Sequence, residues 1–278
     1  MKYIYGKNVL ITGASSGIGM ACAELLCDRG YHVFGLSRRG GEDKSSAEGG
    51  FIHHICADVT DDSSVKAAVA EAIAMADTID ILINAAGNGL CGAVDECTAE
   101  DALAQMNTNY LGVVRMINEI VPLMRERRNG IVVNIGSVGG IFAIPFQSLY
   151  SSSKFAVEAL TECMRIELLP FNVRACLVEP GDIKTGFTSA RKYTEKAKRS
   201  AYGEPFRRAI AQMEKDERGG AEPISVAKAV LYMINRKNPP IRKVAGAFIY
   251  KVFPFLKRIL PSRLVERVLT AMYPNSRN

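Results

Sequence analysis

Val9-Leu10-Ile11-Thr12-Gly13-Ala14-Ser15-Ser16-Gly17-Ile18-Gly19 runs an apolar, strand-like stretch straight into three glycines, and a helical pattern from Gly17 to Arg29 follows. A strand that turns through glycines into a helix aims the helix's unpaired N–H groups at whatever fills the turn, and phosphate oxygens are the natural occupants. The glycines then serve a tight turn, a close approach of backbone to a pyrophosphate, and close packing of helix on strand. The spacing is Gly-x-x-x-Gly-x-Gly, a departure from the Gly-x-Gly-x-x-Gly of the standard dinucleotide fingerprint. Position directly after the first strand favours phosphate over an ordinary turn.

Working outward, the same alternation continues. Asn8 to Ile11, Tyr31 to Leu36, Phe51 to Cys56, Ile79 to Ile83, Ile131 to Ile135 and Val173 to Val178 are short, apolar and rich in β-branched residues, as strands are. Between them lie helical patterns over Gly17 to Arg29, Ser63 to Ala76, Glu100 to Arg127 and Tyr150 to Leu168. Strands alternating with helices imply βαβ units: a Rossmann-type, doubly wound parallel sheet of the α/β class, with helices on both faces. Gly40 to Gly50 reads as a polar surface loop, and the charged stretch from Lys184 to Gly220 as an insertion over the C-terminal edge of the sheet, where such folds hold ligands.

Composition fits this picture. With 278 residues, 48% hydrophobic and 23% charged, the chain can bury a sizeable core. The net charge of +6 is spread among acidic residues except at Arg191 to Arg208 and in the C-terminal tail, and no nucleic-acid reading motif accompanies it, so nucleic acid is not an expected partner. Seven cysteines (Cys22, Cys27, Cys56, Cys91, Cys97, Cys163, Cys176) have no zinc spacing and read as reduced thiols; His53 and His54, adjacent on a strand, face opposite ways, so no metal is expected. The start at Met1-Lys2 lacks a long apolar run, and a cytoplasmic, unprocessed protein is expected.

The second strand ends Leu36-Ser37-Arg38-Arg39. An acidic residue there would accept from an adenosine ribose 2′-hydroxyl and repel a 2′-phosphate. A serine followed by two guanidinium groups suits the 2′-phosphate, so NADP(H) is favoured over NAD(H), with Arg38, nearest the strand end, the better placed.

Tyr150 and Lys154 stand four apart at the start of a helical pattern, hence on one face. Lowering a phenol by about 3 pKa units takes roughly 4 kcal/mol of phenolate stabilisation. An ammonium at about 4 Å supplies roughly 1 to 4 kcal/mol, so the pair suits general acid/base work. Ser137 ends the fifth strand at the same edge of the sheet and can donate to a substrate carbonyl oxygen; Asn84-Ala85-Ala86-Gly87 ends the fourth. Asn109 sits inside a helical pattern that disfavours asparagine, which suggests a kink, a held water, or a merely tolerated polar residue.

Over about residues 6 to 245 the chain resembles the short-chain dehydrogenase/reductase family. The likeness rests on Thr12 to Gly19, Asp58-Val59, Asn84-Ala85-Ala86-Gly87, Asn109, Ser137, Tyr150 with Lys154, and Pro180-Gly181 with Thr185, all in family order. It implies a seven-stranded parallel sheet and a catalytic tetrad of Asn109, Ser137, Tyr150 and Lys154. In this likeness the tyrosine exchanges a proton with the substrate oxygen, the serine positions it, the lysine also holds the nicotinamide ribose, and the asparagine anchors a relay water. The cofactor residues it implies are Gly13, Ser15, Ser16, Gly17, Ile18 and Gly19 in the turn, Ser37, Arg38 and Arg39 after the second strand, and Asp58 and Val59 beside the adenine. Asn84, Ala85 and Gly87 line the cleft, and Pro180, Gly181, Ile183 and Thr185 border the nicotinamide.

The expected organisation is one catalytic domain over residues 1–245, with a substrate lid at about 184–220, and an amphipathic extension over 246–278. The extension, Ala247 to Leu260 followed by Pro261 to Tyr273, could lie on a membrane, cover an apolar substrate pocket or pack on a partner subunit, cover or packing being favoured. That tail and the lid aromatics Phe187, Tyr193, Tyr202 and Phe206 resemble those of hydroxysteroid and retinol dehydrogenases in the family. The expected substrate is a small hydrophobic ketone or secondary alcohol, steroid-like in one version. The alternatives are a 3-oxoacyl thioester on an acidic carrier, facing the basic lid, and a non-catalytic nucleotide sensor or scaffold. A homodimer or homotetramer through the two long helices is the expected assembly.

Overall fold

The computed structural model describes residues 3–247, 249, 250, 252, 257 and 259–272. Strand β1 (Asn8–Thr12) lies inside an eight-stranded sheet, between β2 (His32–Ser37) and β5 (Ile81–Asn84). On the β2 side follow β4 (Phe51–Cys56) and the two-residue β3 (Lys44–Ser45); on the β5 side follow β7 (Gly130–Ile135), β8 (Val173–Pro180) and β10 (Arg242–Ala245). All pairings are parallel except β3 with β4. The seven expected parallel strands are therefore present, and the surface loop at Gly40 to Gly50 adds the short antiparallel edge. Chain order reverses beside β1, which opens the crevice at the C-terminal ends of β1 and β5.

Period-two alternation builds a core on each face. Val9 and Ile11 pack with Leu26 of α1 (Gly17–Cys27) and Val226 and Val230 of α7 (Ile224–Ile234). Leu10 packs the other way, with Val69 of α2 (Asp62–Ala76), Met116 and Ile120 of α4 (Gly112–Arg127), and Met164 of α5 (Ser148–Glu167). Burial of each such side chain contributes about 1.5–3 kcal/mol, which pins the glycine turn between two fixed layers.

The helical pattern over Glu100 to Arg127 is three pieces: α3 (Ala99–Met106), one π turn over Asn107–Leu111, and α4. A capping box starts α3, with Asp101 N–H donating to Thr98 Oγ1 at 3.1 Å and Thr98 N–H to Asp101 Oδ2 at 3.0 Å.

The insertion over the sheet edge holds β9 (Lys192–Tyr193), paired with β6 (Leu90–Cys91), and α6 (Gly203–Arg218). Its own core joins Cys91, Phe146, Phe206, Ile210 and Met213. The lid aromatics divide accordingly: Phe206 meets Phe146 edge-on at 5.1 Å, while Tyr193 and Tyr202 are exposed and donate to Glu214 and Asp95. Of the Ala247 to Leu260 stretch, Phe248, Lys251, residues 253–256 and Arg258 lie outside the described residues, as does Tyr273. A terminal helix spans Ser262–Met272. Among the described residues no helix is long and apolar enough to cross a membrane.

Candidate active site

The glycine turn is built for close approach. Gly13, at φ +74, would bring a Cβ to 2.9 Å from Ala86 Cα, and a Cβ on Gly19 would lie 2.3 Å from Gly13 O. Ser16 is the N-cap of α1 yet makes no side-chain cap bond among the described residues, which leaves the first N–H groups of the helix facing the cleft. Thr12 Oγ1 accepts from the N–H groups of Ala85 and Ala86, 3.1 Å each, and so locks the ends of β1 and β5 together. A glycine cradle at a positively polarised helix start fits a dinucleotide pyrophosphate.

A cleft of about 440 Å³ opens here. Most of the expected residues line it: Gly13, Ser16, Gly17, Ile18 and Gly19 from the turn; Arg39, Ala85 and Gly87; Ser137, Tyr150 and Lys154; and Pro180, Gly181, Ile183 and Thr185. Ser15, Ser37, Arg38, Asp58, Val59, Asn84 and Asn109 stand behind or beside that wall. Arg39 Nη2 reaches Ser15 Oγ at 3.5 Å, so it is Arg39 whose side chain turns into the cleft, although Arg38 is nearer the strand end. Arg38 acts on Asp58: burial works to raise that carboxyl, but two bonds from Thr60 and the Arg38 charge hold it below its ordinary range. Ser37 donates to Gly40 O at 3.1 Å, and Val59 packs against Gly112. Asn84 is a bracket beneath the floor, donating to Asn134 Oδ1 at 2.8 Å.

The four expected catalytic residues converge. Asn109 occupies the π turn, 1% exposed, and its amide is saturated: Oδ1 accepts from Asn88 N–H, and Nδ2 donates to Asn88 O and Ser153 Oγ, each at 3.0 Å. The inserted residue of the π turn is what swings Asn109 out of helical register onto these partners. Ser153 donates in turn to Tyr150 O at 2.7 Å, tying Asn109 to the tyrosine's own helical turn. A Cβ on Gly87 would sit 3.3 Å from Asn109 Oδ1 and 3.9 Å from Lys154 Nζ, so both side chains meet at that glycine.

Tyr150 is buried, its ring 5.7 Å from that of Phe187. Burial pushes its phenol up to about 12, against a hydrogen bond with Ser137 that lowers it. Lys154 goes the opposite way, to about 8, because burial disfavours its charge while Glu158 supports it. Its Nζ donates to Ile135 O at 2.8 Å and lies 6.0 Å from the centre of the Tyr150 ring. Four-residue spacing puts ammonium and phenol on one helix face, from which a lowered phenol is expected; instead Nζ donates to a carbonyl and burial raises the phenol.

Several cleft residues escaped the sequence reading. Asn88 and Gln105, linked at 2.9 Å, support Asn109. Met213 and Glu217 come from the lid, and Asp182 from the loop after β8. Tyr250, from the extension, lies against Gly181 and donates to Asp182 Oδ2. Only Ser153, inside the Tyr150 to Lys154 segment, carried a signal, since i and i+3 residues share a helix face.

A family model for short chain dehydrogenase matches residues 7–196. The chain belongs to the short-chain dehydrogenase family. Across 95% of its length this short-chain dehydrogenase is 40% identical to a 3-ketodihydrosphingosine reductase of Bacteroides thetaiotaomicron, covering 97% of that protein. A solved short-chain dehydrogenase from Streptomyces avermitilis is 30% identical, with 96% of each chain covered and a TM-score of 0.76. ElxO, solved with NADP bound, is 27% identical, with 86% of this chain and 96% of that one covered and a TM-score of 0.68. This short-chain dehydrogenase is thus an oxidoreductase with a nicotinamide cofactor cleft.

Proposed function

We propose that the protein is an NADPH-dependent reductase of a hydrophobic open-chain ketone, of the kind represented by 3-ketodihydrosphingosine, a long-chain amino alcohol with a ketone at its third carbon. The observation that carries this reading is the buried Tyr150 phenol, bonded to Ser137 beside an apolar wall of Ile144, Phe187 and Met213, where burial pushes it up to about 12. A protonated phenol is an acid, which suits reduction.

NADPH, when bound, supplies the hydride. Gly13 to Gly19 and the start of α1 would hold its pyrophosphate, and Arg39 with Arg38 its 2′-phosphate. Ser137 donates to the ketone oxygen and fixes it next to Tyr150. As the carbonyl carbon gains the hydride, the oxygen becomes basic, and Tyr150 gives it the phenolic proton. Lys154, while charged, stabilises the phenolate left behind; Asn109 and Ser153 hold the backbone from which both side chains project.

The relative supports a lipid ketone over a steroid. The carrier-thioester alternative loses one of its cations, because Arg191 is turned inward onto Glu217 with its side chain 0% exposed. The extension supports pocket cover, through Tyr250 on Gly181 and Lys257, which donates to Ile141 O. Exposed Leu111, Phe155, Ile166 and Leu169 on and beside α4 and α5 support the homodimer or homotetramer. Unpaired cysteines suit a cytoplasmic enzyme. The test is product analysis after incubation with 3-ketodihydrosphingosine and either NADPH or NADH. The amino diol should form faster with NADPH; no product with either cofactor contradicts the reading.

A further inference from the structure

Gly136 lines the cleft beside Ser137, and two carboxyl groups stand behind it: a Cβ there would lie 3.1 Å from Glu158 Oε1 and 3.5 Å from Glu179 Cγ. Glu158 is one helical turn beyond Lys154 on α5; Glu179 is the next-to-last residue of β8. They are 8% and 0% exposed. Arg242 of β10 binds both, Nε to Glu179 Oε1 at 3.2 Å and Nη2 to Glu158 Oε2 at 3.0 Å, and also Glu162 Oε1 at 2.6 Å. The other nearby cations are engaged elsewhere. Arg165 donates to the carbonyls of Ala175 and Pro239, and Lys243 lies over the Tyr232 ring.

The charges do not close. Glu162 is half exposed, so water carries its charge, and Lys154 Nζ is turned to Ile135 O; the two buried carboxylates are left with the one Arg242 guanidinium between them, where a second unpaired charge is strongly disfavoured. The two oxygens without a donor among the described residues, Glu158 Oε1 and Glu179 Oε2, belong to side chains within hydrogen-bonding reach of each other. Two carboxylates can bond only if one carries a proton, and a single proton here both makes that bond and neutralises the cluster.

We propose that Glu179 keeps its proton at neutral pH and shares it in a hydrogen bond with Glu158, and that the two, as positioning residues behind Gly136, set the protonation of Lys154. Burial and the neighbouring Glu158 charge raise the Glu179 carboxyl to about 8, and the Glu158 charge raises Lys154 against its desolvation. The cluster therefore releases its next proton as a unit, in the range where Lys154 changes charge. Neither carboxyl touches the cleft, and both act through the lysine.

Two measurements test this. In the first, kcat/KM for ketone reduction is followed from pH 6 to 10. Each single change, Glu158→Gln or Glu179→Gln, leaves one carboxylate and should move the alkaline break only slightly down. The double variant leaves the cluster with Glu162 alone against two cations, and its break should fall by about one pH unit, a tenfold change in the Lys154 protonation equilibrium. A break that stays at the wild-type pH in the double variant overturns the proposal. The second needs no substrate and stands even if the ketone reading fails. A carboxyl whose pKa is raised on folding stabilises fully below the ordinary carboxyl range and loses that contribution as pH rises to about 8. Between pH 5 and 8 the Tm of Glu179→Gln should therefore gain steadily on that of the wild type; a constant difference means that no proton is shared.

Discussion

Tyr150 and Lys154 are shifted in opposite directions by the same burial, and this bears on the pH range of the proposed chemistry. With the phenol raised to about 12 and the lysine lowered to about 8, the proposed Tyr150 acid is loaded at neutral pH and Lys154 loses its charge as pH rises through about 8. Ketone reduction should therefore be level below that pH and fall as pH rises through it; a rate flat to pH 10 would remove Lys154 from the step. At the cofactor end, Arg39→Asp should shift preference from NADPH towards NADH more than Arg38→Asp does, because the Arg39 side chain lines the cleft; the ratio of the two kcat/KM values reads it out. The sequence placed Ser137, Tyr150 and Lys154 at the edge where the cleft opens, since they have fixed spacing to strand and helix starts. It placed Arg38 ahead of Arg39, whereas Arg39 is the one that lines the cleft, because which guanidinium turns inward depends on the backbone after β2. It could not pair Glu158 with Glu179, which 21 positions and a strand crossover separate.

At the scale of elements, the π turn at Asn107–Leu111 does what an unbroken helix could not. Apolar periodicity runs through Glu100 to Arg127 with little sign of a break, so the pattern reads as one helix; the asparagine inside it was the sole cue. Asn109→Ala would leave the half-buried Asn88 N–H without its acceptor, while Asn88 O keeps Gln105, at about 1–3 kcal/mol, and should lower kcat as well as stability. Thr98→Ala is the contrasting case. It removes the cap of α3 far from the chemistry and should cost about 1 kcal/mol in urea unfolding while leaving kcat in place. Equal effects of the two changes on turnover would mean that the π turn serves only the fold.

The sheet order of the whole molecule follows from its alternating pattern, and the glycine turn lies at the chain reversal where the ligand crevice opens. What the extension does was open in the sequence, because basic and apolar residues alternate there in a way that suits lipid, substrate or subunit. Tyr250 on Gly181 now joins it to the cleft wall. Removal of residues 249–278 should accordingly raise KM for a long-chain ketone more than for a short one, provided that circular dichroism shows an intact fold. The most direct measurement of the central claim is single-turnover reduction of 3-ketodihydrosphingosine by NADPH-loaded protein, wild type against Tyr150→Phe. The account predicts equal NADPH binding and a rate about 10²–10⁴-fold lower in the variant; an undiminished rate would contradict it.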